Sequence, residues 1–344
     1  MLGSRHGLGV PSVHFGCPRN WVAASPSPRV TLLDVNEPRT PVDEENSRRW
    51  TAVALSARLN HRVMMTVGEP RPGSNLADVG ELYPFEKLAD RARSYIMAGI
   101  EHMLMWADFT APLKFHEEQV ANHTLRPAYT LSRATIEASA QAVWMLNTLD
   151  QIECVRRHLS LIRWDLQEHR KSMLDLNEKR VIQLREDDLI QRVSPVFTAD
   201  EIRPPTGYLE VIRSACDAKS LDLDADAAER LWRAASGAAH GKYWPTLELQ
   251  NIELGEEYEP NHFRSIQLPN ASAMTEVLEA ANTISSYAVI LYAQYCGADV
   301  AATVRQAMAW LGERVPLKPG TTHDDLDRIR QSVEWPGAED FTTS

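Results

Sequence analysis

The segment that decides the fold is PFEKLADRARSYIMAGIEHMLMWADF, which runs from Pro84 to Phe109. Apolar and small residues recur in it at three- and four-residue steps, at Leu88, Ala92, Tyr95, Ile96, Gly99, Met103 and Trp106. This spacing places them on one face of an α-helix, so the segment predicts a long helix with one buried face. Methionine and tryptophan at helical spacing are typical of a packed core rather than of a cofactor pocket.

Much of the remaining chain carries the same helical period. Helices are predicted within residues 42–65, 124–147, 150–176, 204–219, 224–241, 270–297 and 299–315. Strand patterns are marginal, and residues 242–260 are interpreted as irregular or as a small hairpin. We therefore predict an all-α fold, a bundle of about six to eight long antiparallel helices.

Composition divides the chain into four regions. Residues 1–41 contain six prolines and no helical period, which predicts a disordered N-terminal arm. Residues 42–80 are interpreted as an N-terminal helix and a linker, because proline and glycine punctuate the chain after the helix. Residues 81–315 are the predicted helical bundle domain, and residues 316–344 are a polar C-terminal tail.

Charge, cysteine content and motifs argue against several classes of protein. The formal net charge of -11 argues against an extended electrostatic binding surface for nucleic acid or for an anionic membrane. The four cysteines lack zinc-site spacing, and glycine-rich phosphate loops are absent, so neither a metal nor a cofactor is expected. The longest strongly apolar run, Ala288–Ala293, is far shorter than the roughly 20 residues of a membrane span. The N-terminus has no apolar signal-peptide core, so we expect a cytoplasmic protein.

The candidate functional site lies in RLWRAASGAAHGKYW, Arg230 to Trp244. Seven residues make about two turns of helix, so Arg233, Ser236 and His240 fall on one stripe. The small residues around this stripe let a ligand or another backbone come close. Gly241 is predicted to end the helix as its C′ residue.

Arginine and histidine on one helix face are suited to cleaving RNA without a metal ion. The imidazole of His240 would move a proton to or from the attacking 2′-hydroxyl or the leaving oxygen. The guanidinium of Arg233 would hold the phosphate and its developing charge, beside Ser236. The alternative is structural: small residues pack helices, serine bonds its own helix, and histidine caps the last carbonyls.

A second candidate pair lies on the helix predicted for residues 124–147. Arg133 and Glu137 stand at i and i+4, where an intrahelical salt bridge is the ordinary interpretation. Apolar neighbours indicate that parts of this helix are buried, and a buried charge pair needs further partners. In that case the pair is expected to orient Ser236 or His240 across a helix interface.

A third candidate is a basic stripe on the helix predicted for residues 150–176. Arg156, Arg157 and Arg163 lie there with Trp164 among them, and they are the expected phosphate track if the chain binds RNA. Acidic residues interrupt the stripe. The alternative is therefore a solvated helix face with intrahelical ion pairs.

Two segments carry a resemblance to known proteins: SRATIEASAQAVWML, Ser132–Leu146, and the stretch from Arg203 to Trp244 with its S-G-x-A-H-G pattern. They resemble a group of bacterial helical proteins of actinobacterial type, which is in turn similar to the HEPN superfamily. Many HEPN members are metal-independent RNases of toxin–antitoxin and anti-phage systems. They carry an arginine and a histidine a few residues apart on a late helix, and they often dimerise so that two motifs share one cleft.

The resemblance implies an HEPN-like bundle in which Arg233 and His240, with six residues between them, are the catalytic pair. Arg133 and Glu137 correspond to supporting residues by analogy. Active members usually have a polar residue directly after the arginine, where this chain has Ala234. Inactive HEPN-like proteins keep the fold and serve as binding or partner modules.

Three interpretations of function follow. The first is an HEPN-like metal-independent ribonuclease, or a nucleotide- or RNA-binding protein, dimeric and acting in stress or phage defence, a role that rests on the resemblance alone. The second is a non-catalytic α-helical interaction or scaffold protein in which Arg233, Ser236 and His240 are structural. The third is an enclosed small-molecule pocket lined by Trp144 or Trp232. Enclosure of Arg233 and His240 by protein partners favours the second interpretation, and their exposure in a cleft favours the first.

Overall fold

The structure, a computed structural model, describes residues 41–114, 121, 123–218, 221 and 223–315. These residues form eleven helices and one antiparallel two-stranded sheet. The helices are α1 (Glu44–Thr66), α2 (Asn75–Leu82), α3 (Leu88–Thr110), α4 (Leu125–Leu146), α5 (Gln151–Ser172), α6 (Leu176–Val193), α7 (Tyr208–Cys216), α8 (Ala225–Ala239), α9 (Trp244–Leu249), α10 (Ala271–Tyr295) and α11 (Val300–Gly312). The strands are β1 (Gln250–Glu259) and β2 (His262–Pro269). The predicted all-α fold is confirmed.

Three long helices, α3, α4 and α10, pack on one another at the centre of the bundle. The helix α1 packs against α3, α10 and α11, while α7 and α8 pack against α4. Buried apolar residues of all these helices form one continuous core. The candidate residues on α4 and α8 are therefore held by two helices with a large shared interface.

The buried face of α3 follows the predicted spacing. The predicted positions Leu88, Ala92, Ile96, Met103 and Trp106 are buried, whereas Tyr95 is only partly buried. At Gly99 the helix α4 comes so close that an added Cβ would lie 2.5 Å from Ser139 Oγ. The hydroxyl of Thr135 on α4 donates a hydrogen bond of 3.0 Å to the Gly99 carbonyl. A glycine is thus needed here because the two helices are in direct contact.

The segment predicted as a linker, residues 68–84, contains the short helix α2. Its side chains Leu76 and Val79 are buried, and it packs against α3 and α5. The hydroxyl of Ser74 caps the helix by accepting a bond from the Ala77 N–H. The linker prediction is wrong for this part because eight residues with two buried side chains give too weak a period to detect.

The polar stretch after residue 176 also forms a helix, α6. It buries Ile182, Leu189, Val193 and one charged residue, Glu186, while most of its other charged residues face solvent. The Asp175 carboxylate caps it by accepting bonds from two backbone N–H groups. The third helix that the pattern missed is α9, a short helix of six residues.

The predicted small hairpin is observed, and it extends to residue 269. The strands β1 and β2 pair antiparallel, and most of β1 is exposed. The predicted N-terminal arm, apart from Pro41, and the predicted tail of residues 316–344 lie outside the described residues.

A buried histidine on α5 predicts an acid-sensitive core. The Nε2–H of His158 donates a hydrogen bond of 3.1 Å to the Glu86 carbonyl, while Nδ1 is buried without a partner among the described residues. Burial lowers the pKa of His158 from 6.5 to about 4. The unfolded chain takes up this proton near pH 6.5 and the folded chain only near pH 4, so stability falls as pH drops through that interval.

We expect His158 to cost the wild type about 3 kcal/mol of unfolding free energy between pH 7 and pH 4. In His158→Gln this loss should be absent, because the amide does not titrate. Urea titrations of both proteins at several pH values measure the effect. Parallel stability curves for the two proteins would contradict the assignment.

Candidate functional site

The helix α8 begins and ends as its sequence predicts. At its start the Asp224 carboxylate accepts a bond from the Ala227 N–H. At its end Gly241 has a φ of +67°, the left-handed conformation that favours glycine. The Gly241 N–H donates to the Ala238 carbonyl at 3.1 Å and the Lys242 N–H to the Gly237 carbonyl at 2.9 Å. This Schellman motif places His240 at the C-cap, exposed to solvent.

The structure brings His240 against Arg133 of α4. The distance between Arg133 Nη1 and His240 Nε2 is 3.1 Å. A guanidinium group has only donors, so this bond requires a neutral imidazole with its lone pair on Nε2 and its proton on Nδ1. The two residues lie 107 positions apart in the chain and belong to different helices. Arg133 therefore meets His240 across the interface between α4 and α8.

Glu137 holds Arg133 in place. Its Oε1 atom accepts a bond of 2.7 Å from Arg133 Nε and a bond of 2.9 Å from Trp232 Nε1 of α8. The side chains of Arg133 and Glu137 are only 23% and 13% exposed, so the pair is more than a surface salt bridge. The chain of contacts runs from Trp232 through Glu137 and Arg133 to His240.

Arg233 lines a pocket that His240 also lines, and it faces solvent. Its Nε donates a bond of 2.8 Å to Glu229, and its guanidinium stands 6.0 Å from the Trp232 ring. Arg233 and Arg213 both bind Glu229 and hold the pKa of that carboxyl below its usual range. No bond joins Arg233 to His240 among the described residues.

The pocket between these groups has a volume of about 270 Å³ and is open to solvent. Its lining is formed by Trp232, Arg233, Ser236, Gly237, His240, Lys242 and Trp244. Gly237 packs closely against α9, since an added Cβ would lie 2.7 Å from Pro245 Cγ. The third interpretation expected an enclosed pocket, whereas the described residues around Trp232 form an open one.

Trp144, the other tryptophan expected in such a pocket, is buried elsewhere with the guanidinium of Arg157 over its ring. Trp232 does line the pocket, as expected. Lys242 and Trp244 were not singled out from the sequence. Their signal was weak, because a lysine and a tryptophan directly after a helix-ending glycine are common at protein surfaces.

Ser236 is half-buried in the wall of the pocket, between Arg233 and His240 on the helix. Ala234 has 1% of its surface exposed and faces the core. A polar side chain directly after the arginine would therefore point into the bundle and not toward this pocket.

The three arginines of the predicted phosphate track already have protein partners. Arg156 binds Glu153 through two bonds and the Glu201 carbonyl through a third. Arg157 also binds Glu153 and donates a bond of 2.6 Å to a backbone carbonyl.

Arg163 binds the buried carboxylate of Glu186 and the carbonyls of Ala199 and Ile202. These contacts join α5 to α6 and to the loop after it. Arg156 and Arg157 therefore form the intrahelical ion pairs of the alternative interpretation, whereas Arg163 joins two helices.

Other kinds of chemistry find little support among the described residues. They contain no group of three or more histidine, cysteine or acidic residues that could hold a metal ion. Cys154, Cys216 and Cys296 are buried and unpaired, and burial raises the pKa of the Cys154 thiol to about 12. None of the described helices is both long and apolar enough to span a membrane. Comparison with known proteins finds no match to this chain among protein-family models, curated proteins or solved structures.

Proposed function

We propose that this protein binds single-stranded RNA at the His240 pocket and cleaves it without a metal ion. The contact of 3.1 Å between Arg133 Nη1 and His240 Nε2, at the edge of an open pocket, carries the proposal. Arg133 contacts the histidine, and Arg233 and Lys242 add two further cationic groups to the lining of the same pocket. A phosphodiester is the ligand that suits this set, because guanidinium groups bind phosphate oxygens through paired donors.

The aromatic side chains of the pocket favour a single strand over a duplex. Trp244 is 41% exposed, and Trp232 lies beside Arg233 in the same wall. Exposed aromatic rings stack on unpaired bases, which a shallow pocket can accept and a duplex cannot present.

Each residue has a defined role in the proposed reaction. A bound phosphate is a charged acceptor and draws Arg133 away from Nε2, which frees the lone pair of His240. His240 takes the proton of the 2′-hydroxyl while the 2′-oxygen bonds to phosphorus and the bond from phosphorus to the 5′-oxygen breaks. The departing 5′-oxygen takes a proton from water and His240 returns its own proton to solvent, so the products carry a 2′,3′-cyclic phosphate and a 5′-hydroxyl.

Arg233 is available to stabilise the phosphate charge. It forms an ion pair with Glu229, and the Arg233 side chain is 54% exposed. Exposed ion pairs contribute little to stability, so exchanging the carboxylate for a phosphate costs little. Stabilising the charge that builds on the phosphoryl oxygens is then the contribution of Arg233.

The test is an RNA cleavage assay in EDTA with the wild type, His240→Ala and the control His169→Ala. His169 is an exposed histidine in the last turn of α5. We expect the wild type and the control to cleave mixed RNA and to leave 2′,3′-cyclic phosphate ends. His240→Ala should lose at least about 100-fold in rate, the usual contribution of a general acid or base. No cleavage by the wild type, or equal cleavage by His240→Ala, contradicts the proposal.

A non-catalytic helical interaction protein is the second candidate function. It is favoured by the bonds that Glu137 accepts from Arg133 and from Trp232, because the bond from Trp232 joins α8 to α4 whether or not RNA binds. Under this candidate His240→Ala lowers the melting temperature by several degrees, and no protein cleaves RNA. If His240 is catalytic, its replacement at an exposed position should change the unfolding free energy by only about 0.5 kcal/mol. Circular dichroism melts of the same proteins separate the two.

A further inference from the structure

A second pocket lies at the N-terminus of α4, where α9 and the base of the hairpin meet that helix. Its volume is about 380 Å³. The residues that matter for the argument are Thr124, Leu125, Arg126, Thr246, Gln250 and Gln267. It does not share a residue with the His240 pocket, although Trp244 and Thr246 place the two pockets on the same short helix.

Two polar side-chain groups in this pocket lack a partner among the described residues. Thr246 is only 7% exposed, and its hydroxyl makes no hydrogen bond with them. The Oε1 atom of Gln250 is buried and likewise unpaired. Buried polar groups are nearly always hydrogen-bonded, so the enclosed Gln250 oxygen, beside a mostly buried hydroxyl without a partner in the described part of the chain, indicates a ligand in this pocket. The Gln250 amide can turn over and present its NH₂ group to an acceptor.

The surrounding charge selects an anion. Thr124 is the N-cap of α4, but its side chain makes no capping bond. The first backbone N–H groups of this helix therefore carry their partial positive charge toward the pocket. Arg126 is exposed and has no ion pair among the described residues, so its guanidinium is available to the same ligand.

Both pockets adjoin α4, since Arg126 lines the second pocket and Arg133 contacts His240 at the first. Arg126 and Arg133 are seven residues apart, which places them about 10 Å apart along the helix axis and within about 20° of each other around it. We infer that the α4 N-terminal pocket binds a phosphate group, that of a nucleotide neighbouring the one held at His240. The identity of that strand rests on the proposed function, whereas the phosphate chemistry rests on the pocket alone.

Two variants test the inference without touching the His240 pocket. Arg126→Gln removes the cation, and Thr246→Val removes a hydroxyl that has no bond to lose, so its melting temperature should not fall. Arg48→Gln is the matched control, an exposed arginine on α1. Binding is measured by fluorescence anisotropy with a labelled 2′-O-methyl oligonucleotide, which lacks the attacking hydroxyl. In parallel, thermal melts compare inorganic phosphate with chloride at equal ionic strength.

We expect Arg126→Gln to bind the oligonucleotide about tenfold more weakly, which is the usual loss for a bond to a charged group. Its slope of log affinity against log salt should fall by about 0.7, the value for one phosphate contact on a single strand. Thr246→Val should bind more weakly as well, and Arg48→Gln should match the wild type. Phosphate should raise the melting temperature of the wild type and of Arg48→Gln more than that of the two pocket variants.

The outcomes separate this inference from the proposed function. If the wild type binds the oligonucleotide and both pocket variants bind it equally well, the second pocket is not a phosphate site and the proposed function stands. If the wild type does not bind the oligonucleotide, the proposed function fails, and the thermal melts alone then test whether the second pocket binds phosphate. A phosphate effect lost in both variants then supports a phosphate pocket that serves another ligand. Equal phosphate effects in all four proteins overturn the inference.

Discussion

Replacing Glu137 with alanine should lower the unfolding free energy by about 2–4 kcal/mol and should also slow RNA cleavage. The carboxylate accepts bonds from Arg133 and from Trp232, so its removal leaves a mostly buried guanidinium and an indole N–H unpaired. Without Glu137, Arg133 is free to leave His240. The imidazole then loses the contact that orients it in the unliganded site.

Urea denaturation and steady-state kinetics measure the two effects separately. Glu137→Gln is the matched control, because its amide oxygen keeps one acceptor for Arg133 or Trp232 and should restore part of the stability. If Glu137 positions Arg133, KM for RNA should rise and kcat should fall, because Arg133 is one of the groups that bind the phosphate and the carboxylate holds it in place. A loss of stability below about 0.5 kcal/mol would show an ordinary intrahelical salt bridge instead.

The second large effect is expected at Glu186, where alanine should cost about 3–5 kcal/mol. Its carboxylate is 6% exposed and accepts bonds from Arg163 and from Gln167. The Arg163 side chain is itself 11% exposed and also binds the carbonyls of Ala199 and Ile202. Removing Glu186 leaves a buried cation without its anion, which is the most expensive way to break such a pair.

Glu168→Ala serves as the control for this prediction, because Glu168 is exposed on the same helix as Arg163 and pairs only with Lys171 among the described residues. Its loss should be about 0.5 kcal/mol or less. Both proteins are compared with the wild type by urea denaturation. Equal small losses for the two variants would mean that Arg163 is solvated and free, and the basic stripe would again be a candidate phosphate track.

The periodicity of the sequence was sufficient for the long helices and insufficient for the short or polar ones. In α3 the apolar positions repeat over many turns, so the spacing alone assigns Ile96 and Met103 to the core, where both are buried. In α6 only a few apolar residues are buried, and the helix is held by Asp175 at its start and by Glu186 against α5. The contact with α5 forms between segments distant in the chain and leaves no period to detect.

The candidate site likewise has features that the sequence predicts and features that it does not. The spacing of Arg233, Ser236 and His240 was enough to place them on one helix and to end that helix at Gly241, because helix geometry depends on near neighbours. It did not show that Arg233 would bind Glu229 and stay apart from His240.

What the sequence determined by itself was therefore local: the long helices, their buried faces and the stripe on α8. What only the tertiary structure decided was which charged groups face one another. Arg133 meets His240, Arg163 meets Glu186, and the N-terminus of α4 meets the orphaned hydroxyl of Thr246. The physical reason is that the helical period arises from residues three and four positions apart in the chain. Partners more than twenty positions apart are set by how whole helices pack, and a single sequence carries no periodic record of that packing.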